Sequence, residues 1–134
     1  MNGWTALLPL IGVVVGAAMQ YWFSRAAEAK KQTQLLQTQA YVDFLRAVTK
    51  SAHATSPETV RSARADAADA KARVAVYGTS EVIVALARFE EEGAVLDNPK
   101  TKATFVGLVG AMRQKQGAAS PNDLGLVLFG RREG

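Results

Sequence analysis

The fold is decided by an N-terminal stretch that reads Trp4-Thr-Ala-Leu-Leu-Pro-Leu-Ile-Gly-Val-Val-Val-Gly-Ala-Ala-Met-Gln-Tyr-Trp-Phe23. It contains no Asp, Glu, Lys, Arg or His. A helix of this length is about 30 Å long, which matches the hydrocarbon thickness of a bilayer. Tyr21 and Trp22 lie at its end, where aromatic rings favour the headgroup layer. We therefore predict a transmembrane anchor within residues 1–24.

Three other interpretations of this stretch stay open. A cleaved signal peptide is disfavoured because no Lys or Arg precedes the apolar run and no clear small-x-small cleavage site follows it. A buried core helix of a soluble protein seldom has so long an uncharged run. A helix lying in the membrane interface would need a polar face, which this stretch does not have.

The basic residues beside the anchor predict its orientation. No Lys or Arg precedes it, whereas Arg25, Lys30 and Lys31 follow closely. The positive-inside rule then predicts a single-pass protein of the bacterial inner membrane, with the N-terminus outside and residues 25–134 in the cytoplasm. The same three side chains are candidates for contacts with anionic lipid headgroups.

Small residues within the anchor predict self-association. Gly12 and Gly16 lie one helical turn apart, a spacing that lets two helix backbones approach closely. Gln20 follows one turn later and can form a hydrogen bond to a neighbouring helix or face water. These three residues are the candidate oligomer and membrane interface, and a chance occurrence of the pattern is the alternative.

Composition excludes several classes of protein. The 134 residues include no Cys and a single His, with a formal net charge of +4. A disulfide framework, a thiolate zinc site, a cysteine nucleophile and a multi-histidine metal site are therefore excluded. No phosphate-binding glycine loop and no basic patch interleaved with aromatic residues is present. We expect no metal, no cofactor and no nucleic-acid partner.

Residues 25–134 predict a small helical bundle. Residues 17–56 contain no Gly or Pro, so the anchor can continue without interruption into a helix that ends near Ala54. Later helices are predicted to start at Ser56-Pro57, Thr79, Asn98-Pro99 and Ser120-Pro121, which are N-cap signals. Their predicted ends lie at Gly78, as a left-handed stop, and at Gly93, Gly117 and Gly130. No strand pattern occurs, so the predicted class is all-α.

Apolar periodicity predicts which side chains face the core of this bundle. The predicted positions in the first two helices are Leu35, Tyr41, Val42, Phe44, Leu45, Val48 and Ala52, then Val60, Ala63, Ala67, Ala70, Val74 and Tyr77. In the later helices they are Val82, Ile83, Leu86, Phe89, Phe105, Val106, Leu108, Val109, Met112, Leu124, Val127 and Leu128. The seam of the second helix is mostly alanine and requires a closely packed partner helix. Glu90 to Glu92 end a helix and can meet a basic partner or stay solvated.

One motif carries a family resemblance. Arg46-Ala-Val-Thr-Lys-Ser-Ala-His53 resembles the Arg-x4–6-His motif of HEPN domains, which are all-α bundles. The order of an N-terminal span and a small helical bundle is similar to that of the membrane-anchored HEPN-like accessory proteins of type VI CRISPR systems. The resemblance implies an oligomer in the membrane with a role in antiviral defence. It also makes Arg46 and His53 weak candidates for RNA cleavage, with Arg46 stabilising phosphate charge and His53 transferring protons. The alternative is a surface arginine and a helix-end histidine.

These patterns lead to three functional hypotheses. The first is a self-associating, non-enzymatic membrane effector or accessory protein that is pore-like or perturbs the membrane. The second is a membrane-tethered scaffold that recruits a cytosolic protein. The third is a HEPN-type ribonuclease. The lack of a recognisable catalytic constellation favours a non-enzymatic role.

Overall fold

The computed structural model describes the backbone of residues 4–130 and the side chains of residues 9–130. The first residues of the predicted anchor and the last residues of the predicted bundle lie outside the described residues. In this part the chain forms five α-helices and no strand, which confirms the all-α prediction. The elements are α1 (Trp4–Ala52), α2 (Pro57–Tyr77), α3 (Ser80–Glu91), α4 (Pro99–Met112), a 3₁₀ turn (Gln114–Gln116) and α5 (Pro121–Phe129). The chain divides into two compact units, residues 1–36 and 37–134.

Helix α1 is uninterrupted from Trp4 to Ala52, as the absence of Gly and Pro from residues 17–56 predicted. Pro9 lies inside it, near its start. Within the part of the chain that the structure describes, no helix combines the length and the apolar character that crossing a bilayer requires.

Local capping sets the starts of three later helices where the sequence predicted them. The side chains of Ser56, Thr79 and Asn98 accept hydrogen bonds from the backbone amides three residues later, at 3.2, 3.3 and 2.9 Å. Pro57 and Pro99 follow two of these caps at the first helical position, where the missing amide hydrogen costs nothing. At the start of α5, Ser120 makes no side-chain capping bond.

The end of α2 corrects one prediction. Gly78 is not left-handed: its φ is −70° and its ψ is 152°, an extended conformation open to any residue. Its amide donates to the Val74 carbonyl oxygen over 2.7 Å. A Cβ at Gly78 would lie 2.5 Å from that oxygen, so glycine is required here for close approach rather than for its dihedral angles.

The end of α3 is a Schellman motif, and it confirms the predicted stop at Gly93. Gly93 has φ 98° and donates its amide to the Glu90 carbonyl, while Ala94 donates to the Phe89 carbonyl. Ala94 itself has φ 55°, in the left-handed region that alanine rarely occupies. The chain therefore leaves α3 by a sharply fixed turn.

The core of residues 37–134 lies where α1 and α2 meet α3 and α4. Tyr41, Phe44 and Val48 of α1 are buried, as predicted, and the alanine seam of α2 is buried at Ala63 and Ala70. Phe105 of α4 is fully buried and connects the aromatic part of the core. Its ring centroid lies 5.4 Å from that of Phe89 and 6.0 Å from that of Phe129, distances typical of favourable aromatic pairs.

Five predicted core positions are instead exposed: Leu35, Val42, Ala52, Ile83 and Val127. In α1 the buried line includes Ala40, Phe44 and Ala47. Because each residue turns the helix by about 100°, Val42 lies on the opposite side from Ala40. The predicted stripe therefore combined residues from two faces of the same helix.

Polar contacts show that α2 runs antiparallel to the second half of α1. Along α1, Gln37, Asp43 and Lys50 contact Tyr77, Arg73 and Asp66 of α2 in turn. The residue numbers of these partners rise along α1 and fall along α2, so the two helices run in opposite directions. The start of α3 joins the same end of the bundle, because the Thr79 amide donates to the Tyr41 hydroxyl over 3.2 Å.

Candidate membrane and self-association surface

The first half of α1 carries an unpartnered apolar surface. Every described side chain from Pro9 to Leu36 is exposed. The large apolar ones between Leu10 and Phe23 range from 52% exposed at Val15 to 80% at Trp22. They occur at consecutive positions, such as Val13, Val14 and Val15, so they surround the helix instead of forming one stripe. Large exposed apolar surfaces are typical of sites that contact lipid or protein.

The predicted self-association residues lie open on this segment. A Cβ built on Gly12 or Gly16 would meet nothing within 4 Å. The two glycines share one side of the helix because they are four residues apart, and Gln20 extends the same side by one more turn. Gln20 is also exposed. The three residues therefore form a shallow surface of small side chains with a polar group at one end.

The predicted headgroup-binding residues follow directly. Arg25, Lys30 and Lys31 are exposed, and within residues 9–130 none of them lies within 4 Å of a carboxylate. The guanidinium carbon of Arg25 lies 5.3 Å from the ring centroid of Tyr21, a cation–π geometry. This contact places a positive charge beside the last aromatic residues of the apolar segment.

The HEPN-like candidates occupy separate local environments. Arg46 is an exposed side chain whose Nη1 lies 3.9 Å from Asp43 Oδ1. His53 follows the last residue of α1, and its Nδ1 lies 2.9 Å from the Thr49 carbonyl oxygen. In the tautomer with the proton on Nδ1, the imidazole donates a hydrogen bond to this carbonyl oxygen. The imidazole therefore caps the end of α1, and the ribonuclease role stays a prediction of the resemblance.

The two candidates do not form a site within one chain. Arg46 and His53 are seven positions apart, a rise of about 10 Å along the helix, and each contacts a different neighbour. Among the described residues, no group of three or more His, Asp or Glu side chains is placed to hold a metal ion.

An ionic network that the sequence did not predict joins α1 to α2. Arg73 Nη2 lies 2.9 Å from Asp43 Oδ2 and also 2.9 Å from Asp69 Oδ2. Gln39 donates to Asp43 Oδ1 over 2.9 Å. The hydrogen bond from Arg73 lowers the pKa of Asp43 below its usual value, against a smaller opposing effect of desolvation. The hydrogen bond to Asp43 likewise raises the pKa of Arg73.

Asp69 and Arg73 are four residues apart on α2, the spacing at which side chains of one helix face each other. The contact between Asp43 and Arg73 depends on how α1 packs against α2, which no local pattern reveals. Comparison of the chain with known proteins finds no matching family model, no matching curated sequence and no matching solved structure.

Proposed function

We propose that this chain is a single-pass protein of the bacterial inner membrane that self-associates through its N-terminal helix and acts as a non-enzymatic membrane effector or accessory protein. The N-terminus lies outside and the bundle lies in the cytoplasm. The observation that supports this proposal most directly is the exposed apolar surface of α1 between Pro9 and Phe23.

The energetic argument concerns the transfer of this surface out of water. Its described part includes six side chains of the most lipid-favouring types: Leu10, Ile11, Val13, Val14, Val15 and Phe23. At the centre of a membrane helix, residues of these types together contribute about 2–4 kcal/mol toward insertion. Residues 4–23 contain no Asp, Glu, Lys, Arg or His to oppose this. These six side chains therefore support the proposal of an anchor in this segment.

The charge pattern supports the orientation. Arg25, Lys30 and Lys31 have no carboxylate partner within 4 Å among the described residues, so they are available to anionic headgroups. The cation–π contact between Arg25 and Tyr21 holds one of these charges at the aromatic edge of the anchor.

Membrane insertion and orientation can be tested together because the chain has no native cysteine. Single substitutions Asn2→Cys and Ser120→Cys give reporters at the two ends. In intact spheroplasts, a membrane-impermeant maleimide should label the first and not the second, and the protein should stay in the membrane pellet after alkaline carbonate. Labelling of Ser120→Cys in intact cells, or release by carbonate, would contradict the proposal.

Self-association predicts a specific dependence on the small residues. Gly12→Leu and Gly16→Leu should shift the protein toward monomers in detergent, as measured by multi-angle light scattering or cross-linking. Val14→Leu is the matched control, because Val14 lies on the opposite side of the helix from both glycines. The proposal of a glycine-mediated contact fails if all three variants behave alike, or if the unchanged protein is a monomer.

The effector role predicts a change in the membrane itself. Expression of the unchanged protein should depolarise cells that carry a potential-sensitive dye, and Gly12→Leu should reduce the effect while Val14→Leu should not. A protein that is oligomeric and correctly oriented yet leaves the membrane potential unchanged would favour the alternative role of a tethered scaffold. That alternative draws support from exposed apolar residues on the bundle, including Val76, Val84 and Val127.

A pull-down from membranes separates the scaffold from the effector. A scaffold should retain one stoichiometric cytosolic protein, and Val127→Asp should release it.

The hypothesis of a HEPN-type ribonuclease is tested with His53→Ala, which should abolish RNA cleavage if the hypothesis is correct. No cleavage by the unchanged protein would remove that hypothesis.

A further inference from the structure

We draw no further inference here: the strongest candidate, the exposed apolar surface patch of α5 at Leu126 and Val127, carries none because nothing in the described part of the structure shows what covers it.

Discussion

Replacing Gly78 by alanine tests the close approach that ends α2. The new Cβ would lie 2.5 Å from the Val74 carbonyl oxygen and 3.2 Å from Val74 Cγ1. An unstrained carbon–oxygen contact is about 3.3 Å or longer, so the backbone must move by almost 1 Å. That movement weakens the 2.7 Å hydrogen bond from the Gly78 amide to Val74, which contributes about 1 kcal/mol.

The net effect follows from three contributions. Overpacking strain of about 1–3 kcal/mol adds to the weakened hydrogen bond. The lower conformational entropy of alanine in the unfolded chain returns about 0.4–1 kcal/mol. We therefore expect Gly78→Ala to lower the free energy of unfolding by about 2 kcal/mol, even though the dihedral angles of Gly78 suit any residue.

Gly107 provides a matched control with the opposite sign. It is an exposed residue within α4, and a Cβ there would meet nothing within 4 Å. Gly107→Ala should therefore raise stability by about 0.5–1 kcal/mol, through helix propensity alone. Urea unfolding of the full chain in detergent, followed by circular dichroism, measures both values. A neutral or stabilising Gly78→Ala beside a stabilising Gly107→Ala would refute the argument from close approach.

Three further predictions concern the rest of the bundle. Phe105→Ala should destabilise the protein by about 3–5 kcal/mol, and Phe105→Leu clearly less, because the ring is fully buried against Phe89. Urea unfolding measures both losses of stability. Equal, small losses in the two variants would contradict a central role for the ring. The lowered pKa of Asp43 means that its bond to Arg73 stabilises the fold above the unfolded-state pKa of about 3.9 and is lost as pH falls through the lower folded-state pKa. Asp43→Asn should therefore reduce the melting temperature at pH 7. On acidification the melting temperature of the variant should fall less than that of the unchanged protein. Parallel pH profiles of the two melting temperatures would refute this linkage. Ala94→Gly should leave stability unchanged or raise it by up to about 1 kcal/mol, because it relieves a φ of 55°, and a clear loss of melting temperature would show that the methyl group matters more than the backbone strain.

Most helix boundaries could be predicted because their causes are local, although α4 ends at Met112 and not at the predicted Gly117. Ser56, Thr79 and Asn98 cap the amides three residues later, and Gly93 and Gly130 end helices with positive φ. Gly78 shows where this reasoning stops. A sequence indicates that a glycine ends a helix, but it does not tell whether the dihedral angle or the lack of a Cβ is required.

The buried faces were predicted less evenly. The predicted seam of α2 was largely correct, because its members Ala63, Ala70 and Val74 are buried. Helix α1 has apolar residues on two sides, and periodicity does not say which side meets the bundle. Phe44 and Val48 do, whereas Leu35 and Val42 remain exposed.

The candidate surface of α1 was visible in the sequence because it is made of consecutive residues. The contact between Asp43 and Arg73 was not, because it joins segments that are far apart in the chain. Sequence patterns located single elements, and the chemistry between elements required the fold.

The interface between α1 and α2 has a consequence for how these helices are held in register. The buried face of α1 includes Tyr41, Phe44 and Val48, whereas the seam of α2 is mostly alanine. After a slip by one turn, about 5.4 Å, these side chains would again meet small residues of α2. The polar contacts of Gln37, Asp43 and Lys50 with α2 would all be broken by such a slip. These three polar contacts therefore fix the register of α1 against α2.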